Sequence, residues 1–196
     1  MDRWIKPVTL KGEFATLEPL SMDHIEDLAE AAKDGELWKL WYTVIPSSET
    51  AAAYVKDALK MYEDHSAMSF VVRENKQGKI IGSTRFCHID EANQRVEIGY
   101  TWYAKSYQRS GINTECKLLL LSHAFEQLNA IAVEFRTHWQ NQASRRAIAR
   151  LGAKQDGVLR NHQKMADGGY RDTVVFSIIN IEWPTVKNDL KYKLDR

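Results

Sequence analysis

The sequence predicts one α/β domain. Strand-like and helix-like segments alternate from about residue 9 to residue 181, no repeat or low-complexity linker interrupts them, and 196 residues suit a single core.

In chain order, Thr9 to Leu20 reads as a first strand. Ser21 then suits the N-cap of an amphipathic helix carrying Ile25, Leu28, Ala29 and Ala32, which ends near Gly35. A second helix is expected after Pro46-Ser47-Ser48, running to about His65. Ser69–Arg73 and Lys79–Phe86 are β-rich runs joined by turn residues Asn75 to Gly78, hence a hairpin. Val96, Ile98, Tyr100 and Trp102 alternate with Glu97, Gly99, Thr101 and Tyr103. The period of two assigns the first set to one strand face and Glu97 to the other.

From Gly111 to about Leu128, Ile112, Cys116, Leu119, Leu120, Ala124 and Leu128 form one helical stripe. Ile131, Val133 and Phe135 make another strand. Asn141 caps a helix with Ala143, Ala147, Ile148 and Leu151, and Gly152 suits its C′ position. Asp167-Gly168 signals a hairpin into a buried strand from Thr173 to Ile181. After Pro184, Val186, Leu190 and Leu194 predict a short amphipathic tail helix.

Composition excludes several functions. With 27 basic and 26 acidic side chains the charges nearly cancel, and no nucleic-acid recognition motif is present, so no nucleic-acid partner is expected. Charges at Asp2, Arg3 and Lys6 leave no apolar leader, and no long apolar run follows, so neither export nor membrane insertion is expected. Cys87 and Cys116 cannot form a Cys-x-x-Cys motif, which makes a reducing cytoplasm the simplest home. The six histidines lack the helical spacing of a zinc pair, and no metal is expected.

The junction from Tyr100 to Lys117 carries the chemistry. A helix N-terminus presents unpaired N–H groups and about half a positive charge, which suits a phosphate or pyrophosphate. Gly111 would let an anion approach the backbone, and Ser110 or Thr114 would add a hydroxyl donor. A second reading stands beside this one: Gly111 merely permits a tight strand-to-helix turn.

Gln108-Arg-Ser-Gly-Ile-Asn113 resembles the Gln/Arg-x-x-Gly-x-Gly/Ala pyrophosphate loop of GNAT acetyltransferases, with Asn113 departing at the last position. Val96-Glu-Ile-Gly-Tyr-Thr-Trp102, the helix from Asn113 to Glu126, and Asn141-Gln-Ala-Ser-Arg-Arg-Ala-Ile-Ala-Arg-Leu-Gly152 resemble the RimJ/RimL-type protein N-terminal acetyltransferase branch. The likeness spans roughly residues 9 to 184.

That resemblance implies a strongly twisted mixed sheet of about seven strands and about four helices. The sheet would splay between its fourth and fifth strands, about Arg95 to Ala104 and Ile131 to Trp139, with acetyl-CoA as cosubstrate in the opening. By the same resemblance, the backbone of Trp102, Tyr103 and Ala104 would bond the pantetheine arm and acetyl carbonyl. The amides of Gln108, Arg109, Ser110, Gly111, Ile112 and Asn113 would hold the pyrophosphate. Asn141 would reach the pantetheine, although an N-cap explains it equally, and Ser144 would lie near the thioester sulfur.

The implied reaction is direct attack of a neutral amine in a ternary complex. Glu97 is the candidate general base; a surface carboxylate, or one paired with Arg95 or Arg136, is the alternative. Trp38, Trp41 and Tyr42 would wall the acceptor groove, with core packing the competing role for at least one. Removing a proton at pH 7 costs roughly 1 kcal/mol for an α-amino group but about 4.6 for lysine, so a protein or peptide N-terminus is the favoured acceptor. A small amine, such as a polyamine or aminoglycoside, is the alternative, which a strongly acidic groove would favour. A non-catalytic acyl-CoA-binding module and assembly as a homodimer remain open.

Overall fold

The computed structural model describes residues 3–196; Met1 and Asp2, used above in judging the N-terminal charge, lie outside them. Its frame is one open sheet of β1 (Leu10–Lys11), β2 (Ala15–Pro19), β3 (Ala67–Glu74), β4 (Ile80–Asp90), β5 (Arg95–Tyr103), β6 (Ala132–His138), β7 (Lys154–Lys164) and β8 (Tyr170–Ile179). Spatial order is β1-β2-β3-β4-β5-β6-β8-β7, with β5 and β6 parallel and every other pair antiparallel.

Five α-helices cover it: α1 (Ile25–Lys33), α2 (Ala51–Glu63), α3 (Ile112–Ser122), α4 (Gln142–Arg150) and α5 (Trp183–Leu194). One core joins α3, α4 and α5 to one sheet face through Phe70, Phe86, Leu120, Phe135, Ile148 and Leu190. The other joins α1 and α2 to the opposite face through Leu28, Val55, Ala58, Val71 and Trp102. Truncating a fully buried residue such as Leu120 to Ala should cost about 2–5 kcal/mol. Among the described residues, no helix is long and apolar enough to cross a membrane.

The expected single strand from Thr9 to Leu20 is instead the hairpin β1–β2. The cause is a buried carboxylate on α3: Glu115 accepts the N–H groups of Glu13, Phe14 and Ala15 at 2.7, 2.9 and 2.8 Å. A Cβ at Gly12 would collide with that carboxylate, so only glycine lets the turn close.

The predicted alternation along β5 also fails midway. Ser83 pairs with Trp102, but Arg85 pairs with Gly99, so β5 carries one extra residue opposite Thr84, and Tyr100 takes a left-handed φ of 52°. The bulge flips the following side chains. Trp102 therefore joins the face of Glu97 and Gly99 in the α1–α2 core, while Tyr103 joins Val96 and Ile98 in the other.

Helix α3 reaches near Leu128 as expected, through a π-helical turn at His123–Gln127. Its buried side is wider than one stripe: Glu115, Lys117 and Leu121 are buried and Leu119 is only partly so. The tail helix buries Trp183, Val186 and Leu190. Strand β8 stops at Ile179, two residues before the expected end, because the chain turns there into α5.

Candidate functional site

Two features converge where β5 ends. Strands β5 and β6 pair only at Arg95–Ala132, Val96–Val133 and Glu97–Glu134, then part, although β5 runs on to Tyr103 and β6 to His138. The edge of β5 facing this opening therefore has no ladder partner from Ile98 onward. On its other edge β4 holds it, and Ala104 N–H donates to the Ile81 carbonyl at 2.7 Å.

The second feature is the loop into α3. Arg109, with φ 62°, supplies its left-handed corner, whereas Gly111 is right-handed at φ −65°. A Cβ at Gly111 would meet Phe14 and Leu194 at ordinary contact distances of 3.6 and 3.7 Å. Neither backbone conformation nor internal packing thus requires glycine there. Among the described residues, the N–H groups of Arg109, Ser110 and Gly111 find no acceptor, and all three residues are exposed. Three open amides at the start of an eleven-residue helix fit an anion such as a pyrophosphate.

Other residues of this group are already engaged. Gln108 Nε2 donates to the Tyr103 carbonyl at 2.9 Å, and the Ser110 hydroxyl donates to the Tyr107 carbonyl at 2.7 Å. Thr114 is buried and its Oγ1 accepts from Arg150 at 2.7 Å, while Ile112 packs into the core and Asn113 is half-buried. Trp102 is buried, with Nε1 donating to Tyr54 OH at 3.3 Å, and Tyr103 is buried on the opposite face. Across the opening, Asn141 caps α4: its Oδ1 accepts Ser144 N–H at 3.0 Å, leaving the amide NH2 free for other work.

On the α1–α2 face the splay opens over charge. Glu97 is buried at 6% exposure, with Oε2 2.8 Å from His88 Nδ1 and 3.4 Å from Arg136 Nε. Glu134 accepts from Arg95 at 2.5 Å and from Arg136 at 3.0 Å. Burial alone would raise the Glu134 pKa, but these two arginines outweigh it and hold it below the ordinary value. The Glu97 carboxylate pulls the His88 pKa up against partial burial. Ligand atoms of Cys87, His88 and Glu97 lie within 4.8 Å of one another. Burial, then Glu97, push the Cys87 pKa far above the ordinary range, so the thiol stays protonated.

The segment between α1 and α2 crosses the far end of β6. Trp41 is exposed, edge-on to Tyr42 at 5.5 Å and to His138 at 5.1 Å between ring centroids. Trp38 packs against the second core instead. His138, Arg85 and Arg171 also face this side of the sheet, and the sequence pattern alone does not single them out. The available signal was a charged residue inside an apolar strand run, as Arg85 is between Thr84 and Phe86.

Comparison with known proteins agrees with this geometry. The acetyltransferase (GNAT) domain family matches residues 15–154. An uncharacterized N-acetyltransferase, p20 of Bacillus licheniformis, is 27% identical over 89% of this chain and 98% of its own length. YdaF of Bacillus subtilis, named provisionally as a ribosomal N-acetyltransferase, is 31% identical over 54% of this chain and 57% of its own. A GCN5-related N-acetyltransferase structure from Brucella melitensis superposes with a TM-score of 0.86 at 27% identity, covering 97% and 86% of the two chains. GNAT acetyltransferases use acetyl-CoA, and with its splayed sheet and its open helix-start amides, this chain belongs to the GNAT family and is an acyltransferase.

Proposed function

We propose that the chain transfers an acetyl group from acetyl-CoA to the N-terminal amine of a protein or peptide. The observation that carries this reading is Glu97, a buried carboxylate at the last paired position before β5 and β6 part.

Acetyl-CoA supplies the acetyl group as an activated thioester. In this proposal the amides at Arg109 to Gly111 receive its pyrophosphate, with Gln108, Ile112, Asn113 and Thr114 shaping the loop. The free edge of Trp102 to Ala104, with Asn141 and Ser144 across the opening, receives the pantetheine arm. The Glu97 carboxylate takes the ammonium proton, directly or through one water. His88 and Arg136 hold the carboxylate in place, and Trp41 and Tyr42 flank the incoming acceptor.

At pH 7 an N-terminal amine releases its proton at about 3.6 kcal/mol less cost than lysine. The name of YdaF, with its ribosomal acceptor, supports the same choice. Thiol release should therefore be far faster with a lysine-free peptide bearing a free N-terminus than with an N-blocked peptide bearing one lysine. Equal rates on the two at neutral pH would sink the reading.

A further inference from the structure

The acceptor side of the sheet holds more positive charge, one arginine of it fully buried, than the carboxylates beside it match. Cross-strand pairing puts Glu97 beside Glu134, and Arg85 beside Gly99, on this face. Among the described residues, the carboxylates that the four arginines Arg85, Arg95, Arg136 and Arg171 face here are Glu97 and Glu134, and those two are engaged by Arg95, Arg136 and His88.

Arg85 is the decisive residue. It is 2% exposed, its guanidinium lies 4.3 Å from the Tyr100 ring centroid and 4.7 Å from that of Tyr54, and its single hydrogen bond goes to the Met61 sulfur at 3.3 Å. Its Nε has no partner. A thioether is a weak acceptor, so a buried, always-charged group with five donors finds no strong acceptor among the described residues. Arg171 also lacks a carboxylate among the described residues. It bonds Thr173 Oγ1 at 3.1 Å, and burial lowers its pKa although it lies close enough to Glu97 for that charge to oppose the shift. Near it, the buried His138 accepts Gln140 N–H on Nδ1 at 3.0 Å, which leaves Nε2 as an unpartnered donor.

We propose that the acceptor carries a carboxylate beside its reactive amine, as in a peptide whose first or second residue is Asp or Glu. Arg85 and Arg171 receive the carboxylate while Glu97 meets the amine. The inference rests on the N-terminal acetylation proposed above and adds the acceptor's charge. It also turns the choice against polyamines and aminoglycosides: an acidic groove would have favoured them, and this groove is basic.

The test measures kcat/KM for peptides beginning with Asp or Glu, the matched Asn and Gln peptides, free glutamate and spermidine. The acidic peptides should exceed their amides by about tenfold or more, as a charge-assisted contact allows, and spermidine should be slowest. Arg171→Gln should bring the acid-to-amide ratio close to one while acetyl-CoA affinity stays unchanged. Arg85→Lys, which keeps the charge in the core, should weaken the preference without unfolding the protein. Equal rates for acid and amide in the native enzyme, or a preference that survives both substitutions, would overturn the inference while leaving N-terminal acetylation standing. So would a fall in acetyl-CoA affinity with the ratio unmoved. Preference for free glutamate over every peptide would support the carboxylate and overturn the peptide. Acetylation of spermidine alone would overturn both.

Discussion

Glu97 and Glu134 stand side by side on parallel strands, and Arg136 bridges them at 3.4 and 3.0 Å. Two carboxylates so placed repel each other in a partly desolvated setting, and the guanidinium, with that of Arg95, holds the Glu134 pKa below its ordinary value against burial. Arg136→Met removes that cation, so a carboxylate of the pair should protonate at higher pH. Because Glu134 adjoins the proposed base, the acid limb of the kcat/KM profile should move upward with it. A limb that stays in place would separate Arg136 from the proton-transfer step.

Glu97→Gln keeps the shape of the side chain and removes its basicity. The expected outcome is a fall in kcat of about 10² or more with acetyl-CoA affinity nearly unchanged. The deficit should shrink as pH approaches the acceptor's own pKa, because solvent then supplies neutral amine. Calorimetric titration with acetyl-CoA alongside steady-state rates separates this outcome from a simple loss of folding.

His88 contributes with the opposite pH sense. Its pKa is raised by Glu97, so its pairing stabilises the fold fully below the ordinary imidazole value and is lost as pH rises through the folded-state value. His88→Asn, which tolerates the left-handed φ of 46°, should lower the urea midpoint at pH 6 and leave it nearly unchanged at pH 9. The exposed imidazole limits the loss to less than about 1 kcal/mol. A larger deficit at pH 9 than at pH 6 would contradict this assignment.

Gly111→Ala and Gly111→Glu together test the loop. The alanine methyl meets only ordinary contacts, so folding should be unaffected. The glutamate adds an anion beside the open amides of Arg109 to Gly111 and should abolish acetyl-CoA binding. Unchanged affinity in a folded Gly111→Glu protein would remove the loop from the proposed binding site.

Much of this architecture was legible in the sequence because local chemistry agrees with the fold. Asn141 caps a helix whatever else it does, Gly152 takes the φ of 96° expected after a helix end, and Asp167-Gly168 turns β7 into β8. The failures trace to long-range side-chain contacts and to one local backbone irregularity. The β1–β2 turn depends on a carboxylate about a hundred residues away on α3. The β5 bulge interrupts a perfect alternation of residue types with a backbone conformation that Tyr100 does not announce. Glu97 was visible as a carboxylate on the splayed strand, but its companions Arg85 and Arg171 come from strands that meet it only in three dimensions.

Lys117 gives the sharpest pH test. It is buried on α3, its Nζ donates to Thr101 Oγ1 at 2.7 Å and contacts Thr84 Oγ1 at 3.4 Å, and no carboxylate pairs with it among the described residues. Burial pulls its pKa from 10.5 down to about 8. The folded protein therefore releases this proton before the unfolded chain does. Below pH 8 both states keep the proton, and the buried charge costs the fold about 3 kcal/mol. Between pH 8 and 10.5 the unfolded chain binds more protons, so that cost fades and stability rises with pH. Lys117→Met fills the same space without charge and leaves the Thr84–Thr101 hydroxyl pair at 2.7 Å in place. Urea unfolding should find the variant at least as stable as the native protein at pH 7, with its relative advantage shrinking steadily toward pH 10. A difference constant across that range would mean that the folded-state pKa stays near its ordinary value, and that water or a rearranged neighbour compensates the buried ammonium.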